Sequence, residues 1–252
     1  MKDKDFTIFK RFFYIFIFIF LSITSYSIFT NLSVQNNILT ETNATPLTSK
    51  VIVVDAGHGL PDEGAVGFNG TTEEAINLAI SLKLQKLLET SGAKVILTRS
   101  DENGIYSLDS KSIREKKISD IKNRVNLGNN SNADIFVSIH LNKYPPSEIY
   151  RGWQTFYQAN NTDSENLSNL IQTNINKNID YKNTRKPMKI TDVYIMNNVK
   201  IPSVIVECGF LSNPEETTLL QDENYQSKIA WGIFIGIQDY FYNKTVENVN
   251  NS

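Results

Sequence analysis

The stretch that decides the fold is KVIVVDAGHG, at residues 50–59. It opens with an almost continuous apolar, β-branched run and then reaches two glycines that flank His58. Strands buried in a parallel sheet have this composition, because helices cover both faces of such a sheet. The stretches DIFVSIH at 134–140 and SVIVEC at 203–208 have the same character. We therefore predict three buried parallel strands, each leading into polar side chains.

Helical patterns alternate with these strands. Residues 72–92 place Ile76, Ile80 and Leu84 on one helical face and end at Gly92, a typical C-terminal stop. Strands alternating with helices predict an α/β domain with a mostly parallel central sheet and helices on both faces. The remaining predicted elements are helices at about 117–131, 163–179 and 224–241, and strands at 94–98, 152–158 and 193–196.

The composition excludes several classes of protein. The chain has 252 residues and a net charge of −2, which argues against a strongly basic nucleic-acid-binding protein. A hydrophobic content of 40% argues against wholesale disorder. One cysteine, Cys208, excludes an internal disulfide framework and a cysteine-rich zinc site. With two histidines, His58 and His140, any imidazole chemistry must use one or both.

The N-terminal region predicts export. Residues 1–30 begin with basic side chains and continue into an uncharged apolar run at 12–29, the pattern of a cleaved signal peptide or of a membrane anchor. Residues 31–49 are rich in Asn, Thr and Ser and predict a linker. We expect the functional domain at 50–243, a short tail at 244–252, and an extracytoplasmic location with membrane contact through the N-terminal segment.

Three predicted strands end in side chains that bind metals or transfer protons. They lead to His58, His140 and Glu207. Ligand sites in open α/β sheets gather beyond the carboxyl ends of the strands. Two imidazoles and a carboxylate are a suitable set for Zn²⁺ with one position left for water. The additional carboxylate is expected from Glu73 or Glu74, at the start of the first helix.

Structural roles compete with these assignments. Thr71 and Glu74 have the spacing of a capping box. An acidic residue such as Glu73 in the first turn also interacts favourably with the helix dipole. A single histidine at a strand end is more often structural than a ligand. Asp55 is a candidate for orienting His58.

The last strand carries two residues with opposite expectations. Glu207 lies within an otherwise apolar run, where a carboxylate is unfavourable unless it has a partner or a task. It is therefore a functional candidate. Cys208 beside it is expected to be a small core residue.

Four motifs taken in order resemble a known family. They are DAGHG at 55–59, Glu73 ahead of INLAI, SIHLN at 138–142, and VECGFLSNPEE at 206–216. Over residues 50–241 the chain resembles the zinc-dependent N-acetylmuramoyl-L-alanine amidases. The resemblance implies a phosphorylase/hydrolase-like α/β sandwich and a peptidoglycan substrate cut between the lactyl group of muramic acid and L-alanine.

The same resemblance implies roles for individual residues. His58, Glu73 and His140 become the ligands of one Zn²⁺ ion, and Glu207 becomes the catalytic acid/base. Ala56 and Leu60 stand where the family often has proline and glycine, which affects only the shape of the loop. The N-terminal segment and RGWQTFY at 151–157 are most similar to the spore-cortex members, the CwlD type. Those members work with a deacetylase to form muramic-δ-lactam, so an accessory activator or deacetylase partner is expected.

The sequence leaves the roles of two further residues undecided and allows three rival functions. Asn142, two residues beyond His140, is a candidate for substrate binding. Arg124 is expected either to pair with a carboxylate or, preferably, to solvate its helix. The rivals are a zinc exopeptidase, a polysaccharide deacetylase and a non-catalytic wall-binding domain. A deacetylase is disfavoured because it uses histidines close in sequence.

Overall fold

The protein, seen here as a computed structural model, is described at residues 17, 19–30 and 45–250. It divides into two units, residues 1–45 and residues 46–252. In the first unit, residues 19–30 are helical and mostly exposed. Within the described residues no helix combines the length and the apolar character that a membrane span needs. Much of the predicted export segment and linker, residues 1–16, 18 and 31–44, lies outside the described residues.

The second unit is built on a six-stranded sheet with the strand order β2-β1-β3-β6-β4-β5. Strand β4 runs antiparallel to β6, and the other neighbouring pairs are parallel. The prediction of a mostly parallel sheet is confirmed, and the carboxyl ends of β1, β3 and β6 meet at one edge. The strands are β1 (Val51–Ala56), β2 (Lys94–Leu97), β3 (Ile135–Asn142), β4 (Gln154–Gln158), β5 (Met188–Ile190) and β6 (Ser203–Phe210).

Six helices accompany the sheet. They are α1 (Glu73–Thr90), α2 (Ile113–Asn130), α3 (Thr162–Asn178), α4 (Tyr194–Asn198), α5 (Pro214–Gln221) and α6 (Glu223–Asn250). Helices α1, α3 and α6 bury their apolar stripes in the larger core cluster, whereas α2 and α4 contribute to a smaller one. In β1, Val54 belongs to the larger cluster and Val53 to the smaller. Because successive strand residues point to opposite faces, helices cover both sides of the sheet.

The patterns that predicted these elements are visible in the packing. Ile229, Ile233, Ile237 and Phe241, spaced four apart on α6, are all buried. Helix α1 ends at Thr90, and Gly92 adopts a φ of 89°, which a residue with a side chain rarely adopts. The larger core also contains Leu47, which is fully buried and precedes β1.

The strand predicted at 193–196 is wrong. Residues Tyr194–Asn198 form the short helix α4, with Ile195 and Met196 buried. A run of four apolar residues has no distinctive period, so its packing partner decides its form. Ile195 packs into the smaller cluster beside α2, and the edge strand of the sheet is instead Met188–Ile190.

Candidate active site

The loop after β1 presents His58 at the carboxyl edge of the sheet. Gly57 donates its backbone N–H to the carbonyl of Ile139 on β3, at 3.0 Å. His58 itself has a φ of 61°, in the left-handed region that non-glycine residues rarely occupy. Strain of this kind persists where the surrounding structure holds it. Here the carbonyl of His58 accepts a hydrogen bond from the guanidinium of Arg124.

His58, Glu73 and His140 converge beyond this edge. The Nε2 atom of His58 lies 3.3 Å from Oε2 of Glu73, and Nδ1 of His140 lies 3.0 Å from Oε1 of the same carboxylate. One ligand atom from each of the three residues lies within 4.8 Å of the others. The group can therefore hold a metal ion, and the structure brings together the three residues that the sequence nominated as ligands.

The carboxylate of Glu73 is held by backbone groups as well. Ala65 donates its N–H to Oε2 at 2.9 Å, and Leu141 donates its N–H to Oε1 at 3.0 Å. Burial favours the neutral form, but the hydrogen bonds and charges of His140 and His58 prevail and hold the pKa of Glu73 well below its ordinary value. Glu73 is thus an anion fixed between both imidazoles.

Asp62 orients His58, whereas the sequence predicts this role for Asp55. The Nδ1 atom of His58 lies 3.0 Å from Oδ2 of Asp62, and Lys117 lies 2.6 Å from Oδ1. Burial tends to lower the pKa of His58, but hydrogen bonds to Asp62 and Glu73 outweigh it and raise the pKa to about 9. A carboxylate on the second imidazole nitrogen fixes the ring orientation of a metal-binding histidine. The sequence carried one signal for this role, because Asp62 is an acidic residue four positions after the candidate ligand His58.

Asp55 instead forms a buried ion pair beneath the loop. Its Oδ1 atom accepts from Arg124 at 2.6 Å, and Arg124 also pairs with Asp120 at 2.5 Å. The preferred expectation that Arg124 solvates its helix is wrong, because only 1% of this residue is exposed. Despite burial, which raises it, the pKa of Asp55 is lowered by the charge of Arg124. Arg124 also donates to the carbonyls of Ala56 and His58, so it anchors the loop from below.

Glu207 stands on β6 directly beside His140 in the strand register. Its Oε2 atom is buried and has no hydrogen-bond partner among the described residues. Burial raises its pKa to about 7, and the negative charge of Glu73 adds to this, against the opposing charges of the histidines. A carboxyl group with this pKa can take up and release a proton near neutral pH.

These groups line one cavity of about 290 Å³. His58, His140 and Glu207 contribute to its wall together with apolar side chains such as Ile121 and Ile195. The cavity therefore lies on the side of the sheet that α2 and α4 cover. A larger hollow of about 860 Å³ lies between α1 and α6, away from these residues.

Two glycines allow the chain to pass close to the ligands. A Cβ atom at Gly57 would lie 2.3 Å from Nε2 of His140. A Cβ atom at Gly64 would lie 2.6 Å from Oε2 of Glu73, and Gly64 also has a φ of 69°. Any side chain at either position would displace a candidate ligand.

The capping box expected from Thr71 and Glu74 is wrong. The N-cap of α1 is Thr72, and its side chain makes no capping hydrogen bond. The N–H groups of Glu73 and Glu74 instead donate to the carbonyls of Ala65 and Glu63 in the preceding loop, at 2.8 and 3.2 Å. The side chain of Glu74 lies away from the candidate metal centre, accepting from Thr72 and lying 3.9 Å from Arg99.

The two remaining nominated positions are also located. Asn142 ends β3, and its carbonyl accepts from the N–H of Leu211 at 2.8 Å. Its predicted substrate contact stays a prediction. Cys208 is fully buried in the larger core, as expected for a packing residue.

Comparison with known proteins decides the family. The Amidase_3 model, described as N-acetylmuramoyl-L-alanine amidase, matches residues 52–239. The chain belongs to this family. The amidase is 39% identical over 199 residues to the germination-specific N-acetylmuramoyl-L-alanine amidase of Bacillus subtilis (strain 168), covering 79% of this chain and 83% of the relative.

Solved structures of other amidases have the same fold. The amidase superposes with a TM-score of 0.74 and 48% identity on the CwlD amidase of Clostridioides difficile, solved in complex with the GerS lipoprotein, covering 76% of this chain and 98% of that one. The catalytic domain of CwlV from Bacillus (Paenibacillus) polymyxa var. colistinus gives a TM-score of 0.65 at 32% identity, covering 76% and 97% of the two chains. The protein is thus an N-acetylmuramoyl-L-alanine amidase of the CwlD type that acts on peptidoglycan.

Proposed function

We propose that the amidase uses one zinc ion, held by His58, Glu73 and His140, with Glu207 as its catalytic acid/base. The donor set supports this, because two imidazole nitrogens and a carboxylate oxygen suit Zn²⁺. The spacing supports it too. One ligand atom from each of the three residues lies within 4.8 Å of the others, which is close enough for the three to share one ion.

The ion, when bound, would act as a Lewis acid that polarises the amide carbonyl and lowers the pKa of water. Glu207 then performs the proton transfers. Its carboxylate removes a proton from the attacking water and returns a proton to the nitrogen of L-alanine as the C–N bond breaks. The products are a free lactyl carboxyl group and a stem peptide with a free amino terminus.

The observation that carries this assignment is the unpartnered, buried Oε2 atom of Glu207. A buried carboxyl oxygen without a hydrogen-bond partner is unfavourable in a purely structural role. Next to His140, it is positioned to act on a water molecule at the ligand cluster. Asp62 holds His58 in place, and Asn142 is proposed to contact the substrate near the end of β3.

The proposed biological setting is the spore cortex. The Bacillus subtilis relative is named as germination-specific, which supports peptide removal ahead of muramic-δ-lactam formation. The Clostridioides difficile relative was solved with a lipoprotein, which supports an accessory activator for this amidase, whereas a deacetylase would act after it. Residues 1–30 are proposed to direct export, as a cleaved signal or as a membrane anchor. Of the predicted linker at 31–49, only the part before Leu47 is proposed as linker, because Leu47 is buried in the core.

Mass analysis of muropeptides after digestion of purified peptidoglycan tests the reaction. A free lactyl end together with peptides that begin in L-alanine identifies the cut bond. Zinc content measured on the same preparation tests the ligand set. Release of single amino acids from the end of the stem peptide would instead identify an exopeptidase, and zinc content without any turnover would favour a wall-binding domain.

A further inference from the structure

A second functional group lies at the catalytic edge, beyond the zinc ligands and Glu207. We propose that Arg185 binds the carboxylate of the second residue of the stem peptide, and so positions the peptide side of the substrate. The inference rests on the amidase activity and assigns a residue that the ligand set and the acid/base do not include.

Sheet topology places Arg185 beside the reacting groups. Gln154 begins β4 and stands directly opposite Glu207 in the antiparallel pair, so both side chains emerge on the same face. The carbonyl oxygen of Gln154's side chain accepts from Nη1 of Arg185 at 3.3 Å. Arg185 therefore lies one strand away from Glu207, at the same edge of the sheet.

The guanidinium of Arg185 packs against two aromatic rings that also contact each other, with 6.2 Å between their ring centres. Its Cζ atom lies 4.5 Å from the ring centre of Phe210 and 5.7 Å from that of Tyr150. Phe210 is buried, whereas Tyr150 is 41% exposed and Arg185 is partly buried, so this group borders solvent. Contact with aromatic rings restricts an arginine side chain, which lowers the entropy lost when a carboxylate binds.

The acceptors around Arg185 are neutral. Its Nε atom donates to the carbonyl of Arg151 at 3.3 Å, and Nη1 donates to Gln154. Among the described residues Arg185 forms no ion pair, in contrast to Arg124 and Arg151, which pair with Asp120 and Glu215. An oriented, partly buried arginine without a carboxylate partner is suited to receive one from a ligand.

The distance suits the second residue. Neighbouring strands lie about 4.8 Å apart, which with the length of one side chain puts the guanidinium on the order of 10 Å from Glu207. An extended peptide advances at most about 3.3–3.6 Å per residue, so a side-branch carboxylate on the residue after L-alanine reaches that range. In stem peptides this residue is a γ-linked D-glutamate, whose α-carboxylate is free.

A structural role is the competing explanation. Glu216 is buried, and its carboxylate accepts from the N–H groups of Gly152 and Phe210 at 2.8 Å. The positive charge of Arg185 acts on it and opposes the rise that burial causes in its pKa. If Arg185 served only to balance Glu216, its loss would harm every substrate equally. Substrate discrimination therefore separates the two roles.

The experiment compares two soluble glycan strands that differ in one group. One carries L-alanyl-D-glutamate with its α-carboxylate free, and the other carries the amide, L-alanyl-D-isoglutamine. For the wild type we expect kcat/KM to favour the carboxylate by about 10- to 100-fold, as for a charge-assisted hydrogen bond. Arg185→Met should abolish this preference, mainly through KM, and Arg185→Lys should keep part of it. Arg151→Met is the matched control and should keep the wild-type preference.

Each outcome is decisive. A wild type that cuts both strands equally well, or an Arg185→Met variant that loses the same factor on both, overturns the inference while leaving the amidase intact. Zinc content and melting temperature of Arg185→Met should match the wild type. Loss of zinc or of turnover in the wild type itself would instead contradict the proposed function.

Discussion

Replacing Glu207 by glutamine should make the metal-free protein more stable at neutral pH and should slow catalysis by the metal-loaded protein. The carboxyl pKa is 4.5 in ordinary surroundings and rises to about 7 in the folded protein, chiefly through burial. Between these values the folded state holds a proton that the unfolded chain has released. The wild type therefore loses stability as pH rises from 4.5 to 7, because ionising Glu207 is harder in the folded state.

The size of the pKa shift determines how much stability the variant gains. A shift from 4.5 to about 7 corresponds to roughly 3 kcal/mol at a pH above both values. Glu207 borders the cavity, so water screens part of this free energy. We therefore expect the variant to be more stable than the wild type by on the order of 2 kcal/mol at pH 8. Glutamine keeps the shape of the side chain and has no proton to lose. The advantage of the variant should vanish below pH 4.5.

Urea unfolding of both proteins after chelation, at pH 4 and at pH 8, measures this difference. With zinc restored, Glu207→Gln should bind the ion normally and hydrolyse peptidoglycan at least about 100-fold more slowly, since it cannot accept the proton of water. Parallel stability curves across the pH range would refute the assignment of a buried, unpartnered carboxyl group. Normal turnover would remove Glu207 from the mechanism, and loss of zinc would make it a ligand.

Five other substitutions test the ligand set and the residues beside it. His58→Ala or His140→Ala should each lose most of the zinc and all measurable hydrolysis, and full zinc occupancy in either would contradict the three-residue site. Glu73→Gln should lose zinc, whereas its neighbour Glu74→Gln should keep zinc and activity and lose stability by about 0.5–1 kcal/mol, close to a weak polar contact; the reverse result would exchange their roles. Asp62→Asn removes the carboxylate that raises the pKa of His58 and should weaken zinc binding about 10- to 100-fold, as measured by competition with a chelator; unchanged affinity would show that Asp62 does not orient the ligand.

The sheet and the position of its active edge were predictable because their signals are local. Val51–Ala56, Ile135–Asn142 and Ser203–Phe210 are apolar runs, and the parallel arrangement brings their ends together. Hence His58, His140 and Glu207 could be nominated from their positions at strand ends. Choosing Glu73 as a ligand needed further information, because Glu74 is adjacent and equally acidic. The family resemblance, not the helix pattern, separated them.

What the sequence did not predict depends on contacts between distant parts of the chain. Arg124 and Asp55 are 69 positions apart and meet through the packing of α2 on β1. Asp62 is near His58 in sequence, but only the turn of the loop brings their side chains together at 3.0 Å. The capping prediction at Thr71 failed because carbonyls of the preceding loop, and not a side chain, satisfy the first N–H groups of α1.

The buried arginine beneath the β1 loop affects how the amidase behaves when it carries no ion. Arg124 holds the carbonyls of Ala56 and His58, so helix packing determines the shape of this loop. We therefore expect the loop to keep its shape when an ion leaves, unlike a zinc finger, which unfolds when its ion is removed. We expect the metal-free protein to stay folded, so that an added metal ion can bind to it directly without a new round of folding.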